Sequence, residues 1–505
     1  MLISATGNLG DLGDRNADQD KTAVIDLLDE ERPRIYSYAE LNESADAVAR
    51  ALLGRGYERG DKVAILSANR GEYLIAYLGI MRAGLVAVPV NFRLPPETID
   101  FVCRDSGSKL IFCDAERRAL CPPDLPAVEF GRDGEGGFDA FLDPGPFDPV
   151  RPAPGEVGMF LYTSGSTGRP KGVPLSHSGQ IWVIEIRGRH LPDVDRHRFL
   201  IAAPLYHMNA LAGAKWSIAR HATIVMLPQF RAASYIRAIE AHRVTWLTSV
   251  PTMIALLAQE EELIARTDLG SVEVVGMGSA PASKGLFRRI REIFPQARVS
   301  YSYGTTEAGA AVCGRHPKGL PTPDGSVGYP LHDIAWRLVD GADTNAREGV
   351  LEMWSPALMP GYHNLPEKTA EVITREGYYR SGDIFRQDED GFFWFVGRAD
   401  DMFVCSGENI WPGEVEKMLE THPGVAQAAI VPVPDEIRGQ KPVAFVVPAP
   451  GAALSEQQVK DYALANAPAY QHPRHVAFVE SLPLASTNKI DRKALAERAA
   501  SMWAS

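Results

Sequence analysis

The chain has 505 residues, 45% hydrophobic and 23% charged, enough for two or three globular domains with sizeable cores. Its net charge of −12 argues against a nucleic-acid surface. Five cysteines, Cys103, Cys113, Cys121, Cys313 and Cys405, are odd in number and lack CxxC spacing. That pattern disfavours a disulfide framework or a zinc site and fits reduced thiols in the cytoplasm.

No basic-then-apolar run opens the chain, so no signal peptide is expected. Ser37 and Glu40 form a capping-box pattern, and Leu41, Ala45, Val48 and Leu52 follow at helical spacing up to Gly54. A strand is expected at Val63–Leu66, a helix at Glu72–Arg82, a strand at Leu85–Val88, a helix at Pro95–Cys103 and a strand at Leu110–Phe112. The most membrane-like stretch, Tyr73–Val90, is broken by Arg82 and Gly84 and reads as a buried helix and strand rather than a span. Alternation at this spacing predicts parallel strands with helices on both faces. Residues 114–157, rich in Pro, Gly and Asp, read as a long surface connection. A second alternating series runs from Ser176 to about Val299, with strands at Phe199–Ile201, Thr223–Met226 and Ser271–Val275. Near Val350 the texture changes to strand and turn. Beyond Asp400, helices at Gly413–Leu419 and Glu456–Ala465 and strands at Ala426–Val431, Val443–Val447 and His475–Val479 predict a small α+β unit. The expected fold is α/β: a large domain, 1–399, of parallel sheets packed with helices plus a β-rich subdomain, and a small mobile α+β domain, 400–505.

One stretch organises the chain. The apolar run Met159–Tyr162 feeds Thr163-Ser164-Gly165-Ser166-Thr167-Gly168-Arg169-Pro170-Lys171-Gly172. Its glycines let the backbone turn tightly, its N–H groups and hydroxyls can wrap a phosphate, and Lys171 adds a point charge. The Walker pattern does not fit, because Pro170 precedes the lysine and Gly172 follows it, so no helix is expected there. The loop should join two extended segments. A solvated Gly/Ser turn is the bland alternative.

This stretch resembles the signature of the acyl-adenylate-forming superfamily, which includes acyl- and aryl-CoA ligases. A second segment, Tyr301-Ser302-Tyr303-Gly304-Thr305-Thr306-Glu307, is similar to the family's Tyr-Gly-x-Thr-Glu motif. Alone it would pass for a strand-end turn. The resemblance assigns Tyr303 to adenine, Thr306 to phosphate and Glu307 to Mg²⁺, with Ser302, Gly304 and Thr305 completing the nucleotide contact. Gly276-Met277-Gly278-Ser279-Ala280-Pro281 is similar to a segment whose backbone approaches adenine and acyl group, through Gly278, Ser279 and Ala280. Tyr379-Arg380-Ser381-Gly382-Asp383 resembles the ribose-binding motif, with Asp383 on the hydroxyls and Arg398 supporting. Pro204-Leu205-Tyr206-His207-Met208-Asn209 is similar to the carboxylate-pocket segment, so His207, Met208 and Asn209, with Ile186, Gly304 and Gly309, are the expected acid pocket.

In the last hundred residues, Lys489 matches the family's catalytic lysine, with Asn488 where Gly is common, as in halobenzoate-type ligases. Gly407 and Trp411 match the turn bordering the pantetheine tunnel, and Arg438, Tyr470 and His472 are the expected contacts of the CoA nucleotide. Ser406 and Gln471 depart from the family's usual Gly and Lys. The resemblance spans about Ile35 to Leu495. It implies ATP, Mg²⁺ and coenzyme A, a small or medium carboxylic acid substrate and catalysis by Thr163, Lys171, His207, Glu307 and Lys489; a homodimer is left open. Lys489 and Gly407 would serve different half-reactions from one small domain, so that domain is expected to swing about a hinge at Asp400, where the texture changes. Rival readings are a stand-alone adenylation enzyme loading a carrier protein, a phosphate-loop NTPase or kinase, and a non-catalytic nucleotide sensor.

Overall fold

The computed structural model describes residues 3–163, 169–189, 191, 193–309, 313–314, 316–331, 333–485 and 490–503. Four sheets organise them. In the first, six strands run in the order 127–130, 108–114, 62–66, 86–89, 157–163 and 171–176. All neighbours are parallel except the last two, which form an antiparallel pair with Thr163 opposite Lys171. The phosphate-loop candidate therefore joins two extended segments, as expected.

The second sheet has seven strands and supplies most of the site. Its relevant elements are α1 (His177–Gly188), β1 (Arg198–Ile201), α2 (Met208–Ala219), β2 (Trp246–Ser249), β3 (Val274–Gly278) and β4 (Arg298–Ser302). From the edge the order is β4, β3, β2, β1, then strands 223–226, 22–26 and 34–37. The register places Phe199, Ile201, Trp246, Thr248, Gly276, Gly278, Ser300 and Ser302 on one face. Helix α2 covers part of that face. Gly213 sits against Thr248 and Ile201, and the Trp216 ring packs edge-on to Phe199 at 5.4 Å and to Trp246 at 5.2 Å.

The third sheet is antiparallel and includes β5 (Tyr379–Gln387) and β6 (Phe393–Arg398). The fourth comprises strands 403–405, 408–410, 425–435, 439–448 and 475–478, with cores on both faces, one holding Phe403, Ile410 and Val446, the other Val431, Phe445 and Leu495. Its long 425–435/439–448 ladder exceeds the expected strands because Pro432, Pro434 and Pro442 break the apolar pattern without breaking the pairing.

Two expectations need correction. Residues 114–157 are not simply a surface connection: they contain strand 127–130 and helix 138–141. Their Phe130, Phe138 and Phe141 are buried against Phe112, at ring distances of 5.9, 5.7 and 5.3 Å. Elements of four residues are too short to show a period among prolines and glycines. Strands 22–26 and 34–37, not foreseen, close the far edge of the second sheet.

One buried cation braces the start of this assembly. Arg82 is fully buried at the end of helix 71–82 and donates to the Gly10 carbonyl at 2.7 Å, to the Asn42 carbonyl and Oδ1 at 2.7 and 2.6 Å, and to Asp46 Oδ1 at 2.7 Å. Arg82→Leu strands these acceptors in the interior, so it should cost about 3–5 kcal/mol, the usual effect of removing one partner of a buried pair. A lower denaturant midpoint with unchanged slope is the expected readout.

Candidate active site

Three sheets meet at one contact chain. Lys171 opens strand 171–176 of the first sheet, Glu307 follows β4 of the second, and Tyr362 lies beyond strand 348–354 of the third. The Lys171 ammonium donates to the Tyr362 hydroxyl at 3.2 Å and sits 4.2 Å from its ring centre. The Tyr362 hydroxyl in turn donates to Glu307 Oε1 at 3.0 Å. Burial pushes the Lys171 ammonium below its ordinary value, and the Glu307 charge opposes that shift. Burial, then the Glu307 charge, raises the Tyr362 phenol, so it stays a donor. Glu307 is held by its backbone too: its carbonyl accepts from Met359 N at 2.7 Å, and Thr305 and Gly309 exchange backbone bonds at 3.0 and 3.1 Å around it.

A second cluster lies beside the first. Asp383, on β5, accepts from the Tyr303 hydroxyl and from Arg398 at 3.0 Å, and its N–H donates to Ser381 Oγ at 3.0 Å. Arg398, the last residue of β6, also forks onto Asp400 at 2.9 and 3.2 Å. Burial works against the Arg398 cation, but Asp400 and Asp383 outweigh it and hold it above its ordinary value. Tyr303 packs edge-on to Phe385 at 4.7 Å. An aromatic ring, a carboxylate and a guanidinium thus stand within one hydrogen-bonded group.

The acid-pocket candidates divide into two neighbourhoods. His207 precedes α2, with the Tyr206 ring 4.5 Å away, and Met208 is buried. The Asn209 amide reaches Ser279 Oγ at 3.3 Å and the Ser249 carbonyl at 3.5 Å, while its buried Oδ1 accepts nothing from the described residues. The Tyr206 and Thr163 hydroxyls are also buried without a partner there. Ser279 adopts φ +68°, in the left-handed region, at the exit of β3. Ile186 clusters with Val183 and Ala357, and Gly309, at φ +103°, lies against the same Val183 and Ala357. A side chain at Gly309 would be strained and would meet the Ala357 methyl at 3.1 Å.

Ser164, Gly165, Ser166, Thr167, Gly168 and Lys489 lie outside the described residues. Among the CoA candidates, Ser406 and Gly407 form the two-residue turn of hairpin 403–410, at φ +55° and +87°. Ser406 N donates to the Arg438 carbonyl at 3.0 Å, so Arg438 flanks that turn. Trp411 packs over Gly397 of β6. Arg474, not anticipated, contacts the His472 ring at 2.7 Å, and Tyr470 packs on the fourth sheet's core. Sequence reasoning also missed Tyr362, Phe385, Val183 and Ala357. Only the aromatic residue in the Gly361-Tyr362-His363 turn offered a local signal.

Residues 14–363 match the family model described as AMP-binding enzyme, and residues 414–489 match the AMP-binding enzyme C-terminal domain. A feruloyl-CoA synthase of an Amycolatopsis species is 33% identical over 461 residues, covering 90% of this chain and 92% of that protein. A fatty acid–[acyl-carrier-protein] ligase of Streptomyces coeruleorubidus is 30% identical over 483 residues, 92% of each. Among solved structures, the anthranilate CoA ligase AuaEII in complex with anthranoyl-AMP superposes with a TM-score of 0.89 at 25% identity, over 99% of this chain and 98% of that one.

Asp383→Ala removes the acceptor shared by Tyr303 and Arg398. Hydrogen bonds to charged groups are worth about 1.5–3 kcal/mol, so the variant should lose folding stability of that order. A lower denaturant midpoint checks this.

Proposed function

The chain belongs to the AMP-binding enzyme family and is an ATP-dependent carboxylic acid–CoA ligase, and we propose that its acid is an aryl or short acyl acid. The carrying observation is the convergence of the Lys171–Tyr362–Glu307 chain and the Tyr303–Asp383–Arg398 cluster beside the Asn209–Ser279 pocket. A carboxylate is already a nucleophile, and pyrophosphate and then AMP are good leaving groups. The protein therefore has to align the reactants and neutralise charge, and needs no nucleophilic triad.

In this reading Tyr303 carries adenine on its ring, Asp383 accepts from the ribose hydroxyls, and Arg398 keeps that carboxylate oriented. Thr163, Thr306 and Lys171 hold phosphate oxygens while the acid, beside His207, attacks the α-phosphorus and expels pyrophosphate. The CoA thiol then attacks the acyl carbonyl and expels AMP. Mg²⁺ fits Glu307, a buried carboxylate whose Oε1 is oriented by Tyr362. No cluster of three or more potential ligands occurs among the described residues, which suits an ion held by one carboxylate and substrate phosphates. Bound there, it would neutralise phosphate charge. Lys489 completes the proposal as the cation that stabilises the adenylating transition state. The proposed CoA path follows Gly407 and Trp411 past Arg438, Tyr470 and His472. A cytoplasmic location rests on Cys103, Cys113, Cys121 and Cys405 being free thiols. No described helix is long and apolar enough to cross a membrane.

Carrier-protein loading is the second reading, favoured by the Streptomyces relative. A panel of carboxylates, assayed for AMP release with free CoA or with a pantetheinylated carrier protein, separates the two. Release that depends on the carrier alone overturns the CoA reading.

The proposed division is residues 1–399 and 400–505, with a hinge at Asp400. Arg398 anchors one side of that residue, and Asp400 itself is exposed. Lys489 and Gly407 serve different half-reactions from one small domain, so that domain must turn between them. Lys489→Ala should slow adenylation by about 10²-fold or more, the usual effect of losing one transition-state donor, yet still convert supplied acyl-AMP to acyl-CoA. Asp400→Pro should keep one half-reaction and lose the other. Single-turnover measurement of both steps checks this; equal slowing of the two steps by Lys489→Ala contradicts the division.

A further inference from the structure

The face of the second sheet beside α2 carries a strip without bulk. Gly276 and Gly278 lie on β3, Thr248 on β2, and Ser300 and Ser302 on β4, all on one face by register. Glycine is required at both β3 positions, since a Cβ at Gly276 would stand 2.9 Å from the Leu247 carbonyl, and one at Gly278 would stand 2.9 Å from the Ser302 carbonyl. Gly276 and Thr248 belong to inner strands of the sheet, yet both keep partial exposure, as does Ser300. An inner strand covered by a helix would be dry, so the strip floors a groove. Its upper end is the Asn209–Ser279 pocket, where the Asn209 Oδ1 lacks a partner.

The lower end of the strip is the Trp246 indole. Its Nε1 stands 3.1 Å from where a Gly276 Cβ would be, so the pyrrole edge lies across the strip. The ring is held by stacking on Phe199 at 5.1 Å and by an edge contact with Trp216 at 5.2 Å. On its other side lies a cavity of about 210 Å³, lined by Trp246, Val274, Val194, His197, Glu273 and Arg298. Arg298 is exposed at its rim, with its guanidinium 5.8 Å from the Trp246 ring centre.

We infer that Trp246 is the end wall of the acid groove, separating it from the rear cavity, and so sets the upper length of the acid this enzyme adenylates. The inference rests on the acid–CoA ligase reading. An aryl ring or a short chain ends against the indole. A longer chain meets it, because Phe199 and Trp216 hold the ring in place. Removing the indole joins groove and cavity into one channel with room for several more methylenes.

The test is AMP release with free CoA over benzoate, butyrate, hexanoate, decanoate and dodecanoate. It is run on the full-length protein, on Trp246→Ala, on the milder Trp246→Leu, and on Trp246→Ala with Val274→Phe. Trp246→Ala should raise kcat/KM for decanoate relative to butyrate by roughly tenfold or more, within the range that pocket methylenes discriminate. Butyrate itself should change little. Trp246→Leu should shift the optimum part of the way, and it serves if the alanine variant melts below assay temperature. Adding Val274→Phe refills the cavity and should abolish the gain. An unchanged chain-length preference in folded Trp246→Leu, or a gain that survives Val274→Phe, overturns the wall. If the unaltered protein already takes decanoate as well as butyrate, the wall fails while the ligase reading stands.

Discussion

The site depends on an ammonium and a carboxylate that share one phenol. Lys171, Tyr362 and Glu307 come from three different sheets, and their contacts of 3.2 and 3.0 Å are made only if all three sheets dock correctly. An ammonium directly against a carboxylate would neutralise both before substrate arrived. With the hydroxyl between them, neither charge is cancelled, which suits the roles proposed for Lys171 toward phosphate and Glu307 toward Mg²⁺. The burial that weakens the Lys171 charge also strengthens any bond it forms to an anion, because water competes less for it.

The Asp383–Arg398–Asp400 chain extends this order outward. Arg398 spends two donors on Asp400 and one on Asp383, so the strand end that leads to the last hundred residues is tied to the proposed ribose acceptor. Occupancy of that acceptor and the backbone course after β6 share one guanidinium. A planar fork can hold two carboxylates at fixed angles in a way an ammonium cannot.

Much of this was legible from residue order, and the reasons differ by element. The parallel strands around Val63–Leu66 and Phe199–Ile201 announced themselves as short apolar runs between helices. Thr163, Lys171, Tyr303, Glu307, Asp383 and Arg398 sit in dense motifs of hydroxyls, glycines and charges whose chemistry is local. Tyr362 was not legible, because its role exists only when a third sheet places it between two residues 136 positions apart, Lys171 and Glu307. The 114–157 segment was misjudged for a related reason: Phe130, Phe138 and Phe141 find one another, and Phe112, only in three dimensions. Trp246 stands in no motif of the sequence, since its indole meets Gly276, diagonal to it on the next strand, only once the sheet has formed.

The two ends of the site are specified by opposite means. The proposed nucleotide end requires groups to be present, and each one is a hydroxyl, a carboxylate or a cation that leaves a mark in the sequence. The proposed acid end requires groups to be missing. Gly276 and Gly278 are bare because neighbouring carbonyls stand 2.9 Å from where a Cβ would go, and that constraint comes from strand geometry rather than from the acid. A surface made bare for backbone reasons can accept many acids. On the proposed acid groove, discrimination is left to the few side chains that bound it, Asn209 above and Trp246 below. In that reading, substitution at those two positions changes the acid without touching Lys171, Glu307 or Asp383. The proposed separation suits the sheet: the strand ends would carry the chemistry and one strand face the selection.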